Sequence, residues 1–193
     1  MPLSHGVRRF RTEAHPARAE LFADLAGGQQ PEVLFVTCAD SRIDPALITS
    51  TDPGSLFVCR NAGNVMPAWS DRVDGMVASV EYAVAVLGVA HVVVCGHSSY
   101  GAMGALVDPP PSGALPAVER WLPAAGVAHD GAESIDDLIA RNARQQLEHL
   151  RTHPSVADRI AAGELELHAW VYDIGSGDVH DVTDAENVQP IGT

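Results

Sequence analysis

The chain lacks a long apolar run, a cluster of basic residues and an even set of cysteines. No apolar segment approaches the roughly 20 residues that a bilayer-spanning helix requires, so a membrane-spanning protein is not expected. Twelve basic residues stand against twenty-five acidic ones, which gives a formal net charge of −13. That balance argues against a surface for nucleic acid or for an anionic membrane. Arg8 and Arg9 have no apolar stretch behind them, so no signal peptide is expected either.

The three cysteines, Cys38, Cys59 and Cys95, lie in or next to apolar runs. An odd number of cysteines in such positions argues against a disulfide framework and fits a reducing cytoplasm. Cys59 and Cys95 fall within predicted strands, so we expect both in the core. Cys38 follows a strand instead, and this position makes it the candidate for a functional cysteine.

Apolar runs alternate with helical patterns along the chain. The predicted strands cover 33–37, 56–60, 91–95, 165–172 and 179–182, and the predicted helices cover 19–25, 71–87, 134–151 and 154–162. This alternation predicts an α/β fold: a mostly parallel four-stranded sheet with an antiparallel edge strand and helices on both faces. With 193 residues, 46% of them hydrophobic, and no repeat or linker, we predict one domain over 1–193 that begins with a helical arm over 1–26.

Two predicted strands lead into residues that bind soft metal ions. Cys38 follows the first strand, and His97 follows the third. The carboxyl ends of parallel strands lie at one edge of a sheet, and ligands of such folds collect there. Zinc takes thiolate and imidazole ligands, and a catalytic zinc site keeps one position open. We therefore predict that Cys38 and His97 supply two ligands of a zinc site.

Asp40 has two candidate roles in this predicted site. It lies two residues beyond Cys38, so it can bind the metal directly or accept a hydrogen bond from metal-bound water. Arg42 can hold Asp40 in a bidentate ion pair, which lowers the pKa of the carboxyl group and fixes its orientation. Each residue alone has a structural explanation, such as a buried thiol, a core histidine or a turn. Their combination at two strand ends predicts a reactive site.

Beyond these residues, the sequence resembles the β-class carbonic anhydrases from about residue 19 to 183. The matching residues are Cys38–Arg42 (Cys-x-Asp-Ser-Arg), Arg60–Asn64, Glu81–Ala83, Cys95–His97, Trp170–Asp173, and Asn142, Gln146, Leu147 and Leu150 on one helix. They occur in the order and spacing of that family. A match of several separated motifs is specific.

The resemblance implies reversible hydration of carbon dioxide to bicarbonate, a lyase reaction in which zinc lowers the pKa of bound water so that hydroxide attacks the substrate. Cys38 and His97 would be zinc ligands, and Asp40 and Arg42 the catalytic pair that orients the hydroxide. Gln29, which in the family reaches a partner subunit's site, and Gly101 are the predicted substrate-binding residues. The resemblance also implies a homodimer or larger assembly in which the arm packs on the partner.

The chain departs from that family at one predicted ligand. The family has His-x-x-Cys-Gly, whereas this chain has Tyr100 between Ser99 and Gly101. Three outcomes follow: Tyr100 binds zinc as phenolate, Asp40 takes the vacant position and leaves Arg42, or the site holds little or no metal. The leading hypothesis is an enzyme acting on carbon dioxide or a near relative such as carbonyl sulfide. The alternative is a catalytically silent homologue that binds bicarbonate or another small anion, or acts as an interaction protein.

Overall fold

The computed structural model describes residues 3–70, 74–99, 101–127 and 134–192. The chain forms two compact units, Met1–Gln30 and Pro31–Thr193. Among the described residues, no helix is both long enough and apolar enough to cross a membrane.

The N-terminal unit is helical throughout most of its length. Its elements are α1 (Leu3–Arg9), a π-helical turn (Phe10–Ala14), a 3-10 turn (Pro16–Arg18) and α2 (Ala19–Leu25). The helix predicted over 19–25 is confirmed. None of the residues in these elements is buried within the chain.

The described residues of the second unit form a six-stranded sheet with the order β2-β1-β3-β4-β5-β6. Its strands are β1 (Val33–Cys38), β2 (Leu56–Asn61), β3 (His91–His97), β4 (Glu166–Tyr172), β5 (Val179–Asp181) and β6 (Gln189–Pro190). The first four strands are parallel, and β5 and β6 are antiparallel. The predicted parallel sheet with an antiparallel addition is confirmed. Strand β6 is an extra edge strand of two residues, too short to leave an alternating pattern in the sequence.

Six α-helices accompany the sheet among the described residues of this unit. They are α3 (Pro45–Thr49), α4 (Gly75–Glu81), α5 (Gly101–Val107), α6 (Pro116–Trp121), α7 (Ile135–Arg151) and α8 (Pro154–Ala161). Asp74 caps α4 by accepting from the backbone N–H of Met76 at 2.7 Å. The helix predicted over 71–87 therefore begins at Gly75, continues as a π-helical turn over Tyr82–Val86 and is closed by Gly88 at φ 70°. Residues 71–73 lie outside the described residues.

The core lies mainly between the sheet and the helices. Leu34, Val36, Val92 and Val94 are fully buried in one cluster with apolar side chains of α4, α7 and α8. Alternate residues of the same strands point to the opposite face, where Phe35, Val93 and Cys95 form a second buried cluster. Cys59 and Cys95 are both buried, as predicted.

Strand register sets the position of the predicted ligands. Thr37 lies opposite Cys95, so Cys38 at the end of β1 lies next to the last residues of β3. His97 ends β3 and lies opposite Tyr172 of β4. Both predicted ligands therefore lie at the carboxyl edge of the parallel strands. There Cys38 packs in a third apolar cluster with Ile43, Val65 and residues of α5 and α7.

Candidate active site

Cys38, Asp40 and His97 come together at this edge. The side chain of His97 is fully buried, and its Nε2 lies 4.0 Å from Oδ2 of Asp40. The same imidazole also interacts with the Cys38 thiol and lowers its pKa. The thiol and the carboxylate thus each lie beside the same buried imidazole. Tyr100, the fourth predicted ligand, lies outside the described residues.

The environment of Cys38 favours the thiolate. Burial raises the pKa of this thiol, but its interactions with His97 and with the backbone near Gly63 and Asp40 outweigh burial, so the pKa lies below its ordinary value. The thiolate is the form of cysteine that binds metal ions. The buried thiol of Cys38 is therefore prepared to act as a ligand.

His97 is held in one tautomer. Its Nδ1 lies 2.8 Å from the carbonyl oxygen of Ser98, and because a carbonyl can only accept, Nδ1 carries the proton. In the neutral ring this leaves the lone pair on Nε2, the atom that faces Asp40. A backbone acceptor behind a histidine is the usual way to orient an imidazole toward a metal. The donor set of Cys38, His97 and a carboxylate fits zinc.

Asp40 and Arg42 form the predicted ion pair. Nε and Nη2 of Arg42 donate to the two carboxylate oxygens at 2.9 and 2.7 Å, and the backbone N–H of Arg42 donates to Oδ1 at 2.9 Å. Side-chain hydrogen bonds from Arg42, followed by its backbone hydrogen bond, hold the pKa of Asp40 well below its usual range. Asp40 is therefore an ionised acceptor that points toward His97.

Arg42 also joins the two strand ends. Its Nη2 donates to the carbonyl oxygen of Ser99 at 3.1 Å. Ser99 has a left-handed backbone conformation, with φ 56°, which is uncommon for a residue with a side chain. The guanidinium thus links the turn after β1 to the segment after β3. Gly101 begins α5 directly after that segment and is exposed.

Arg60 is a further site residue whose function the sequence analysis did not assign. Its Nε donates to the carbonyl oxygen of Cys38 at 3.0 Å, and its Nη2 donates to that of Asp40 at 2.7 Å. These bonds hold the backbone on which the candidate ligands lie. The available signal was that Arg60 falls near the end of the strand preceding Asn61-Ala62-Gly63-Asn64.

The loop after β2 is fixed by side chains of neighbouring elements. Asn61 exchanges two hydrogen bonds of 2.8 Å with the backbone of Val65, and the indole of Trp121 donates to Ala62 at 2.6 Å. From α7, Asn142 donates to the carbonyl oxygen of Gly63 at 3.4 Å. The backbone near Gly63 hydrogen bonds to Cys38. The contacts that fix this loop therefore also fix the surroundings of the thiol.

Gln29, the other predicted substrate-binding residue, belongs to the N-terminal unit and is exposed. Its predicted role concerns a partner subunit and stays a prediction.

The fold and the residues at its carboxyl edge define an α/β protein with a thiol, an imidazole and an arginine-paired carboxylate at the ends of two neighbouring parallel strands. A family profile described as carbonic anhydrase matches residues 33–179. A carbonic anhydrase of Pseudomonas aeruginosa is 50% identical over 181 residues, which cover 89% of this chain and 82% of the relative. The chain belongs to the carbonic anhydrase family, in its β class.

Solved structures agree with this assignment. The β-carbonic anhydrase CcaA superposes with a TM-score of 0.87 at 37% identity, covering 93% of this chain and 85% of that one. One of two tetrameric β-carbonic anhydrases from Sordaria macrospora gives a TM-score of 0.72 at 27% identity, covering 98% and 92%. The resemblance predicted from the sequence is therefore confirmed.

Proposed function

We propose that the protein catalyses the reversible hydration of carbon dioxide to bicarbonate and a proton at the carboxyl ends of β1 and β3. The observation that carries this proposal is the cluster of Cys38, His97 and the Asp40–Arg42 pair in a chain of the carbonic anhydrase family. Family membership favours the enzyme over the silent homologue. Carbon dioxide and bicarbonate are the substrate pair.

The donor set supports zinc as the cofactor. Cys38 and His97 would hold it, because the pKa of Cys38 is lowered and the bond from Nδ1 of His97 to Ser98 leaves Nε2 as the ring atom that faces the site. When bound, zinc supplies a Lewis acid that brings the pKa of water close to neutrality. For the third protein ligand there are two candidates: Tyr100 by its place in the sequence, and Asp40 by its 4.0 Å separation from His97.

Asp40 acts as a hydrogen-bond acceptor that orients the attacking oxygen. Arg42 keeps it ionised, so the carboxylate has no proton to donate. Arg42 donates twice to Oδ1 and once to Oδ2, so Oδ2, the oxygen that lies 4.0 Å from His97, keeps a lone pair for a further hydrogen bond. Arg42 is a positioning residue: it acts through Asp40 and fixes the segment at Ser99.

The decisive experiment measures bound zinc and carbon dioxide hydration in the native chain, in Tyr100→Cys and in Tyr100→Phe. We expect near-stoichiometric zinc and hydration well above background in the native chain. Loss of zinc in Tyr100→Phe would identify a phenolate ligand, and unchanged zinc would favour Asp40. An inactive native chain that gains activity in Tyr100→Cys would establish a competent scaffold and a silent native protein, contrary to the proposal.

We also propose that the protein acts as a cytoplasmic homodimer or larger assembly. Three free cysteines suit a reducing compartment. Exposed apolar side chains of the N-terminal unit, Leu3, Val7 and Phe10, suit burial against another subunit. The tetrameric proteins of Sordaria macrospora belong to the same class.

A further inference from the structure

A second group of metal-binding side chains lies at the amino end of the sheet. His91 begins β3, Glu166 begins β4, and the two lie opposite each other in the parallel register. His168 lies two residues further along β4, on the same face of the sheet as Glu166. His91 and His97 are six residues apart on one strand, so this group is about 20 Å from the candidate active site.

The three ligand atoms have a spacing suited to one small cation. Nδ1 of His91 and Nε2 of His168 are 3.2 Å apart, and Oε2 of Glu166 lies 3.7 and 3.8 Å from them. Tetrahedral zinc with bonds of 2.0–2.1 Å separates its ligand atoms by about 3.3 Å. The side chain of Glu166 is 72% exposed, so it has the freedom to move the few tenths of an ångström that closure requires.

One ring nitrogen of each histidine faces the other ring, and neutral imidazole is the form that binds metal ions. The histidine side chains are 36% and 26% exposed, so an ion can reach the group while two strands hold its geometry.

We propose that His91, Glu166 and His168 form a second site, for a divalent first-row transition-metal ion such as Zn²⁺, at the end of the sheet opposite the active site. Two imidazoles and one carboxylate suit zinc, and they leave a fourth position for water. The site is independent of the proposed function, since none of its residues lies at the carboxyl edge.

The test is calorimetric titration of the full-length, metal-stripped chain with Zn²⁺, compared with the double variant His91→Gln/His168→Gln. We expect the variant to lose one micromolar or tighter binding event and to retain the hydration activity of the native chain. His180→Gln is the matched control. His180 belongs to β5 and lies opposite Val171 of β4, so its side chain is on the other face of the sheet from that of His168. This control should bind zinc as the native chain does.

Two further measurements separate a bound ion from a mere histidine pair. The exposed substitution Glu166→Ala should weaken this binding event by at least about tenfold without unfolding the chain. Histidine ring NMR signals of His91 and His168 should shift on addition of Zn²⁺. Equal zinc stoichiometry in the native chain and the double variant, or ring signals that do not respond, would overturn the proposal and leave only a hydrogen bond between the rings.

Discussion

The orientation of Asp40 at the carboxyl edge of the sheet is fixed by one neighbouring residue, Arg42. Three N–H groups of Arg42 occupy its carboxylate, and this arrangement was predictable because both residues belong to one short turn. The contacts of Arg60 to the carbonyl groups of Cys38 and Asp40 were not predictable. They depend on the register in which β2 pairs with β1, and the sequence alone does not reveal that register.

Substitution of Arg42 tests the positioning role. In Arg42→Gln the charged partner is lost, so the pKa of Asp40 should rise toward its ordinary value. We expect carbon dioxide hydration, measured by stopped flow, to fall by about 10²-fold, while bound zinc is retained. Arg42→Lys should recover part of the rate, because it restores charge without bidentate geometry.

The matched control for this substitution is Arg151→Gln, which removes an exposed arginine paired with Glu148 within α7. It should leave the hydration rate unchanged. If Arg42→Gln were as active as this control, Asp40 would not need Arg42 for its orientation, and the positioning role would have to be abandoned.

Among the helices, α7 connects the core to the active-site edge. Gln146 is fully buried; its Oε1 accepts from the backbone of Met66 at 2.9 Å, and its Nε2 donates to Ala125 and to Oδ1 of Asn142 at 2.9 Å each. The Ser134 cap of this helix was predictable from local sequence and is observed. The role of Gln146 was not, because its partners are 80 and 21 residues away.

Gln146→Met should destabilise the fold. The volume is nearly kept, but buried groups of Met66 and Ala125 lose their partner, which costs about 1–3 kcal/mol. Urea denaturation should show this loss, and Gln145→Met, at a half-buried neighbouring position, should change stability much less. Equal stabilities of the two variants would mean that water or another group replaces the lost amide.

The junction of α7 and α8 carries a pH-sensitive contact. His153 is buried and its Nε2 donates to the carbonyl oxygen of Pro67 at 2.9 Å. Burial lowers the pKa of this imidazole, against the opposing effect of that hydrogen bond and with a smaller contribution from His149. The unfolded chain, whose histidines titrate near about 6.5, therefore takes up this proton more readily than the folded one.

The sign of the effect follows from linkage. The contribution of His153 to stability is complete above the unfolded pKa and is lost as the pH falls through the folded value. Chemical denaturation between pH 7.5 and 5, a range of roughly one unit on either side of the ordinary histidine pKa, should show a shallower loss of stability in His153→Gln than in the native chain. His180→Gln should keep the native slope. Parallel curves for all three proteins would contradict the assignment.

At the scale of the whole molecule, strands β1 to β5 and helices α2, α4, α7 and α8 were predictable in order, because buried strands and amphipathic helices leave different periodicities. The short helices α3, α5 and α6, strand β6 and the π-helical turn Tyr82–Val86 were not predicted, because each is too short to leave a clear periodicity. The chain divides into two units after Gln30. The arm over 1–26 and its packing on a second chain stay predictions.

Assembly through this arm can be tested directly. Leu3, Val7 and Phe10 follow one another at spacings of four and three residues, so they share one helix face, and they are 76%, 66% and 47% exposed. Burial of such side chains against another subunit stabilises a dimer by about 25 cal/mol per Å² of apolar surface. The double substitution Leu3→Gln/Val7→Gln should therefore shift the mass measured by light scattering toward the 20.4 kDa of one chain.

The control is Arg11→Gln, in the same helical unit, which should leave the assembly intact. A variant that stayed fully associated would exclude this face, and the exposed edge strand β2, where Val58 is 42% exposed, would then be the surface to alter next.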